Sequence, residues 1–196
     1  MDTTRHASPA DTVPGSATER AEATIRRATP ADAELLHRIA ADTFALACPP
    51  HTTPQSIAAF IAKSLSRDAF SHYLASENRV LLIAEADATP LGYTMLVFED
   101  PTDAEVAAAV TTRPTAELSK VYVAAEAHGT GVAANLMRES IAQARVQGAA
   151  SLWLGVNQEN QRANRFYEKH GFTLVGTKHF LVGDRLEDDF VRELLL

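Results

Sequence analysis

The chain is organised around residues 117–133, ELSKVYVAAEAHGTGVA. This segment predicts an apolar strand that ends in a glycine-rich turn and then opens a helix. Such a turn leaves backbone N–H groups unpaired at a helix N-terminus, where the helix dipole adds partial positive charge. Gly129 and Gly131 let the backbone approach a ligand closely, so the turn is predicted to bind phosphate. The buried stripe of the helix is predicted to be Val132, Leu136, Met137, Ile141 and Ala144.

The composition of the chain indicates its class and its expected partners. The chain has 196 residues, of which 46% are hydrophobic and 22% charged, and this composition predicts one soluble globular domain. The single cysteine, Cys48, excludes an internal disulfide, and no metal site is predicted from Cys/His spacing, so a reducing, cytoplasmic location is expected. Residues 1–22 are predicted to form a disordered tail, with the domain at 23–196. A net charge of −7 predicts no nucleic-acid partner, and no apolar run is long enough for a membrane span.

The other elements follow from capping residues and periodicity. Strands are predicted at 23–27, 79–85, 91–99, 117–124, 152–156, 172–182 and 185–194, with the last two joined by a turn at Gly183-Asp184. Helices are predicted from residue 30 to Pro49, from Thr53 onward with a break near Ser66, after Gly131, and over 160–170. The segment 100–114 is predicted to be a loop with room for a helical turn. Only the strand at 117–124 and that at 152–156 form a parallel βαβ unit.

The same glycines also satisfy the dinucleotide fingerprint G-x-G-x-x-A over residues 129–134. That interpretation requires an acidic residue at the end of the following strand, but LWLGVN ends in Asn157. It also expects further βαβ units, for which too few residues remain. A nicotinamide-dependent enzyme is therefore disfavoured.

Two motifs, in the right order and separation, carry a resemblance to a known family. The first is HGTGVA at 128–133, and the second is NQRANRFYEKHGF at 160–172. They resemble the pyrophosphate loop and the following helix of the GNAT superfamily of acyl-CoA-dependent N-acyltransferases, and the resemblance covers residues 23–196. It implies an α+β fold of three layers (αβα), with a mixed, mostly antiparallel twisted sheet of about seven strands, flanking helices and one central βαβ crossover. His128 departs from the Gln or Arg usual in the family.

The resemblance also implies how the co-substrate acetyl-CoA is held. The backbone amides of residues 128–133 would bind the pyrophosphate, and the backbone groups of Val121 and Val123 would pair with the pantetheine arm as with an added strand. Asn160 would offer its amide to the arm, and the small Ala163 would let the arm pass the helix. The implied cofactor-binding residues are Val121, Tyr122, Val123, His128, Gly129, Thr130, Gly131, Val132, Ala133, Asn160, Ala163 and Tyr167.

Acyl transfer to an amine needs a general acid and a base. Tyr167 is the candidate acid, because a phenol can return a proton to the departing thiolate; the alternative is a core tyrosine packed beside Phe166. Glu117 is the candidate base, because an ammonium ion has to lose a proton before it can attack; the alternative is a solvated glutamate at a strand end. The backbone amide of Val123 is the candidate donor to the thioester carbonyl.

Within the superfamily, ELSKVYV, LWLGVNQENQRANRFYEKHGF and TKHFLVGDRLEDDF most resemble bacterial spermidine/spermine N-acetyltransferases. The implied partner is a small-molecule amine, with peptide acetylation and a non-catalytic acyl-CoA sensor as alternatives, and the oligomeric state, a homodimer included, stays open. Phe44, Phe60 and Tyr73 of the early helices either line an acceptor pocket or simply pack, with packing preferred. Tyr122, Trp153 and His179 are interpreted as core or edge residues rather than ligands. Acidic side chains either attract a cationic amine or are simply solvated, with solvation preferred: Glu99, Asp100, Asp103, Glu105, Glu187, Asp188 and Asp189.

Overall fold

The computed structural model describes residues 23–182 and 185–196, and at 180–182 and 185 the description covers the backbone alone. The predicted tail at 1–22 and the predicted turn residues Gly183 and Asp184 lie outside the described residues. Within the described part, no helix is long and apolar enough to cross a membrane.

A single mixed sheet forms the centre of the domain, with strand order β1-β2-β3-β4-β5-β7-β6. All neighbouring strands are antiparallel except β4 and β5, which are parallel. The predicted count of seven strands and the single parallel βαβ unit are therefore confirmed. The strands are β1 (Thr24–Arg27), β2 (Arg79–Ala86), β3 (Thr89–Val97), β4 (Thr115–Val123), β5 (Ser151–Asn157), β6 (Thr173–Val182) and β7 (Arg185–Leu195).

The helices begin where the sequence supplies capping residues. The hydroxyl of Thr53 accepts from the Ser56 amide at 3.1 Å, and Ser66 caps the next helix in the same way, so the predicted break near Ser66 is confirmed. Asp103 caps a short helix inside the predicted loop. The α-helices are α1 (Ala33–Phe44), α2 (Pro54–Ser64), α3 (Arg67–Ala75), α4 (Ala104–Ala109), α5 (Val132–Val146) and α6 (Gln161–Lys169).

The helices divide between the two faces of the sheet and give the predicted three layers. Helices α1, α2 and α3 cover one face, where Leu36, Phe70 and Tyr93 are fully buried. Helices α5 and α6 cover the other, around Leu136 and Met137. The predicted stripe of α5 is buried except Ile141, which is half-buried, and Ser140 is buried in addition because its hydroxyl pairs with Thr94 at 2.9 Å.

The parallel pair is short, and this is what opens the centre of the sheet. Strands β4 and β5 pair only over Thr115–Glu117 and Ser151–Trp153. Beyond this point β4 stays paired with β3, while β5 stays paired with β7. The two strands therefore separate, and a gap opens between residues 118–123 and 154–157.

Candidate active site

The gap exposes backbone hydrogen-bonding groups of β4. The amide of Ala124 donates to the carbonyl of Leu91 at 2.8 Å, next to the last pair of the β3–β4 ladder. Since alternate residues of an antiparallel strand bond to the same neighbour, Tyr122 bonds to β3, and the backbone groups of Val121 and Val123 point into the gap. The two positions predicted to pair with a pantetheine arm thus present their main chain to the open side.

The glycine-rich turn presents fewer amides than the sequence suggested. The amide of His128 donates to Ala125 at 3.1 Å, and that of Thr130 to Ala127 at 3.3 Å. Two of the six amides from 128 to 133 are therefore already bonded within the chain, because the 3-10 turn Ala125–Ala127 uses the His128 amide and the turn that follows it uses the Thr130 amide. In the described part of the chain, four amides of the turn have no acceptor: those of Gly129, Gly131, Val132 and Ala133.

Gly129 and Gly131 are required by backbone conformation. Their φ angles are +80° and +91°, in the left-handed region that side chains with a Cβ disfavour. A Cβ built on either would meet no atom of the protein within 4 Å. The glycines therefore set the direction of the free amides and leave open space in front of them.

His128 is held by two hydrogen bonds. One of its ring nitrogens, Nδ1, lies 3.1 Å from Arg162 Nη1, and the other, Nε2, lies 3.1 Å from the carbonyl oxygen of Val123. A guanidinium only donates, so Nδ1 accepts and the Nε2 hydrogen is donated to Val123. The carbonyl of Val123 thereby already accepts one hydrogen bond from within the chain.

Helix α6 carries three of the predicted site residues. Asn160 caps it, because its Oδ1 accepts from the Ala163 amide at 3.0 Å, and this leaves the amino group of Asn160 for other contacts. Ala163 faces the gap, and Tyr167 lies one turn further along. The ring of Tyr167 makes edge contacts with those of Phe166 and Phe172, at centroid distances of 5.5 and 5.9 Å.

A buried network that sequence reasoning missed fastens α6 to β7. Arg192, which is 4% exposed, donates to Asn164 Oδ1 at 3.0 Å and to Glu168 Oε1 at 2.7 Å. The side-chain amide of Asn164 in turn donates from Nδ2 to the backbone carbonyls of Asn157 and Asn160, both at 3.0 Å. This network sets the position of the helix that carries Tyr167.

Two cavities meet at Tyr167 and share six of their lining residues. The first, the donor cleft, has a volume of about 150 Å³ and reaches His128 and Ala133 at the glycine-rich turn. The second, the acceptor cavity, has a volume of about 390 Å³ and lies under α1 and α2. Residues that line both are Ala47, Val121, Tyr122, Asn160, Ala163 and Tyr167.

Burial changes the acidity of the tyrosines at this junction. It raises the pKa of Tyr167 to about 12, and it raises the pKa of Tyr122 as well, with the neighbouring Tyr167, Cys48 and Asp189 adding to the effect. Tyr122 stacks on Tyr93 with ring centroids 5.6 Å apart, so it belongs to both the core and the site. Both phenols stay protonated over the physiological range of pH.

The acceptor cavity is lined by three carboxylates and two ammonium groups. Glu187 is 7% exposed. Its Oε1 lies 2.7 Å from His51 Nε2, and its Oε2 accepts from the side-chain amide of Asn157 at 3.3 Å. The other four charged side chains of the cavity are Glu117, Lys120, Lys178 and Asp189.

Asp189 and Lys178 face each other across the β6–β7 ladder. Burial raises the pKa of Asp189 to about 6; Lys178 opposes this rise, and the negative charges of Glu187 and Asp188 add to it. Gly155 of β5 makes room for the pair, because a Cβ there would lie 2.9 Å from Lys178 Nζ and 3.3 Å from Asp189 Oδ2.

The other acidic residues lie outside the cavity. Asp103 caps α4, and Asp100 pairs with Arg113 at 2.9 Å. Glu105 and Asp188 both contact His179, at 3.1 and 3.6 Å, on an exposed surface. Asp188 points away from the cavity because side chains alternate along a strand, so only Glu187 and Asp189 of this run face inward.

The aromatic residues of the early helices both pack and line the cavity. Phe44 and Phe60 stack with ring centroids 4.5 Å apart, and both line the acceptor cavity together with Tyr73. The preference for plain packing is therefore too narrow. Trp153 and His179 do not line either cavity.

Sequence reasoning missed several residues of the acceptor cavity: Cys48, Lys120, Asn157 and Lys178. A usable signal was present for Lys178, because it belongs to an alternating strand next to the acidic run of β7. No local signal was present for Cys48, which enters the cavity through a loop. The described residues contain no group of three side chains suited to a metal ion.

Comparison with known proteins agrees with this geometry. The sequence profile of the acetyltransferase (GNAT) family matches residues 40–172, which is more than half of the chain. An uncharacterized N-acetyltransferase of Mycobacterium tuberculosis is 45% identical over 166 residues, covering 84% of this chain and 99% of that protein. The chain belongs to the GNAT acetyltransferase family, and its predicted class, an acetyl-CoA-dependent N-acetyltransferase, is confirmed.

Solved structures share the fold. The PaiA N-acetyltransferase of Thermoplasma acidophilum in complex with coenzyme A superposes with a TM-score of 0.71 at 21% identity, covering 89% of this chain and 99% of that one. The ribosomal-protein-alanine N-acetyltransferase of Brucella melitensis gives a TM-score of 0.59 at 24% identity, covering 88% of this chain and 99% of that one. The seven-stranded GNAT fold predicted from the sequence is thereby confirmed.

Proposed function

We propose that this enzyme transfers the acetyl group of acetyl-CoA by direct attack to a primary amine of a small cationic molecule of the polyamine type. The observation that carries this proposal is the acceptor cavity, where carboxylates outnumber ammonium groups three to two and which meets the donor cleft at Tyr167. A negative cavity attracts an ammonium ion and holds it beside the thioester.

The donor is held mainly by backbone groups. The free amides of Gly129, Gly131, Val132 and Ala133 bind the pyrophosphate at the N-terminus of α5. The pantetheine arm lies in the gap as an added strand against Val121 and Val123, and the amide of Val123 polarises the thioester carbonyl. The Asn160 amino group completes the contacts to the arm.

Tyr167 acts as the general acid that protonates the departing thiolate. A phenol with a pKa of about 12 is fully protonated before the reaction. The ordinary pKa values of a phenol and a thiol, about 10 and about 8.5, lie close together, which favours proton transfer from Tyr167 to the departing thiolate.

Glu117 acts as the base that removes a proton from the incoming ammonium, through water. It lines the acceptor cavity at the point where β4 and β5 part. Once this proton has left, the amine attacks the thioester carbonyl and the C–S bond breaks. Tyr167 gives its proton to the departing thiolate, so that coenzyme A leaves as a thiol, and the second proton on the nitrogen returns to Tyr167 through water.

The first test measures thiol release from acetyl-CoA with spermidine, spermine, simple amines, amino acids and short peptides. We expect polyamines to be the best acceptors, and Tyr167→Phe to lower turnover by about 10²-fold or more with little change in donor binding. Calorimetry with coenzyme A measures that binding separately.

Three outcomes would contradict parts of the proposal. Unchanged turnover in Tyr167→Phe would remove the tyrosine from the mechanism. Peptides as the best acceptors would replace the polyamine class. Heat of acetyl-CoA binding without thiol release from any amine would make the protein a sensor.

A further inference from the structure

We propose that Lys120 is an acetylation site of this enzyme: without an acceptor, the cavity presents the side-chain amine of Lys120 to bound acetyl-CoA and the enzyme acetylates itself. The inference rests on the proposed function, because the lysine side chain is a primary amine on a four-carbon chain and so belongs to the same chemical class as the proposed acceptor.

A β-bulge places Lys120 in the cavity. Lys120 is opposite Met95 and Leu118 is opposite Leu96, so Ser119 is the extra residue of β4. Strict alternation would turn residue 120 away from the face that carries Glu117. The bulge restores Lys120 to that face, where it lines the acceptor cavity with Glu117 and Tyr122.

The ammonium group of Lys120 has no hydrogen-bonded partner among the described residues that would fix its position. Among the described residues, its Nζ atom lies over the ring of Tyr73, 5.4 Å from the ring centroid, and makes no hydrogen bond or ion pair. Lys178, the other lysine of the cavity, faces the carboxylate of Asp189 and lies against Gly155. Of the two amines, Lys120 is therefore the one able to turn toward the thioester.

The surroundings also favour the neutral amine. Burial lowers the pKa of Lys120 to about 8, Arg79 of β2 lowers it further, and Glu117 of β4 opposes both. The guanidinium of Arg79 lies over the same Tyr73 ring, 5.2 Å from its centroid. Other titratable side chains line the same cavity: Tyr122, Lys178, Glu187 and Asp189. With a pKa of about 8, Lys120 has a substantial neutral fraction near pH 8.

The reaction balances without any further reagent. Glu117 or cavity water removes one proton from the Nζ ammonium group, and the Nζ lone pair attacks the thioester carbonyl carbon. A C–N bond forms and the C–S bond breaks; Tyr167 gives its proton to the departing thiolate, and the second proton on Nζ returns to Tyr167 through cavity water. The products are N-acetyl-Lys120 and coenzyme A. The product side chain is longer and uncharged, so it occupies part of the acceptor cavity, and turnover with an external amine declines.

The experiment incubates the full chain with acetyl-CoA in the absence of acceptor. Intact mass and peptide mapping follow acetylation with time, and turnover with the best external amine is then measured after removal of excess donor. We expect one acetyl group at Lys120, at a rate that rises with pH and levels off above about 8. We also expect a matching loss of turnover, slowed by prior addition of the amine.

Variants separate this reaction from unspecific chemical acetylation. Lys120→Arg keeps the positive charge and is expected to stay unmodified and to keep its own starting turnover during incubation. The matched control Lys178→Arg is expected to be acetylated at Lys120 as in the wild type. Tyr167→Phe is expected to slow the modification by about 10²-fold, as it slows transfer to external amines.

The outcomes distinguish this inference from the proposed function. External amines acetylated while Lys120 stays unmodified would overturn the inference and leave the proposed function standing. Acetylation of Lys120 at the same rate in denatured protein would overturn it as well. Lys120 modified while no external amine reacts would support the inference and overturn the proposed acceptor class.

Discussion

The Asp189 carboxyl shows how its immediate surroundings control one side chain. Its pKa is raised to about 6 because burial penalises the charged form more than Lys178 stabilises it. The usual value is 3.8, so in the folded protein this carboxyl holds its proton at a pH where the unfolded chain has lost it. The protonation of one residue is thereby linked to the stability of the fold.

The sign of that linkage gives a prediction. The stabilisation from Asp189 is fully present below about pH 4 and is lost as pH rises to about 6, so the free energy of unfolding should fall over this window. The expected size is about 2–3 kcal/mol. Denaturant unfolding of the wild type and of Asp189→Asn, compared across this range, measures it, and the variant should lack this part of the decline.

Asp188→Asn is the matched control, because Asp188 lies next in sequence but points to the exposed surface. Its pH profile should keep most of the decline, because the negative charge of Asp188 adds less to the raised pKa of Asp189 than burial or Glu187 does. The Asp189→Asn curve contains the contribution of the other carboxyls and is subtracted from the wild-type curve. A difference that stays flat or rises between about pH 4 and 6 would contradict the raised pKa of Asp189.

Helix α5 depends on the glycines at its two ends. Gly131 precedes its first turn with a φ of +91°, and Gly148 follows its last turn with a φ of +80°. Neither glycine has a protein atom within 4 Å of a built Cβ. The two positions thus share the same backbone requirement, while only Gly131 lies beside the free amides of the turn.

This pairing yields a matched test of the phosphate site. Gly131→Ala and Gly148→Ala should each lower the free energy of unfolding by about 1–2 kcal/mol, because a Cβ disfavours the left-handed region. Only Gly131→Ala should also weaken coenzyme A binding, since it redirects the amides proposed to hold the pyrophosphate. Calorimetry on both variants decides, and equal affinity in the two would place the diphosphate elsewhere.

The domain as a whole should respond to its donor by mass action. A ligand that binds only the folded state at about 100 times its Kd stabilises it by about 2.7 kcal/mol. For a domain of this size, each kcal/mol corresponds to about 2–4 °C in Tm. Acetyl-CoA should therefore raise the Tm by about 5–10 °C, as measured by calorimetric melting.

NADH is the control for this measurement, because residues 129–134 also satisfy a dinucleotide fingerprint. It should leave the Tm unchanged at the same concentration. A larger shift with NADH than with acetyl-CoA would contradict the assignment of the turn to coenzyme A.

Local pattern was enough to predict most of the architecture. Strand and helix positions, the break near Ser66 and the single parallel unit all follow from capping residues, periodicity and glycine placement, which act over a few neighbouring residues. The same holds for the glycine-rich turn, whose left-handed φ angles are a local requirement. Family membership followed from two motifs, because each combines residue types that one local geometry needs.

The acceptor cavity could not be predicted in this way, because its lining comes from β4, β5, β6, β7, α6 and the early helices. Its charges come together only when β4 and β5 part after Glu117 and when the bulge at Ser119 turns Lys120 inward. Local propensity carries no information on either event, since both depend on pairing between distant strands. The fold could therefore be predicted from the sequence, because its signals are local. Which charged side chains line the substrate site became clear only from the tertiary structure, because it depends on pairing between distant strands.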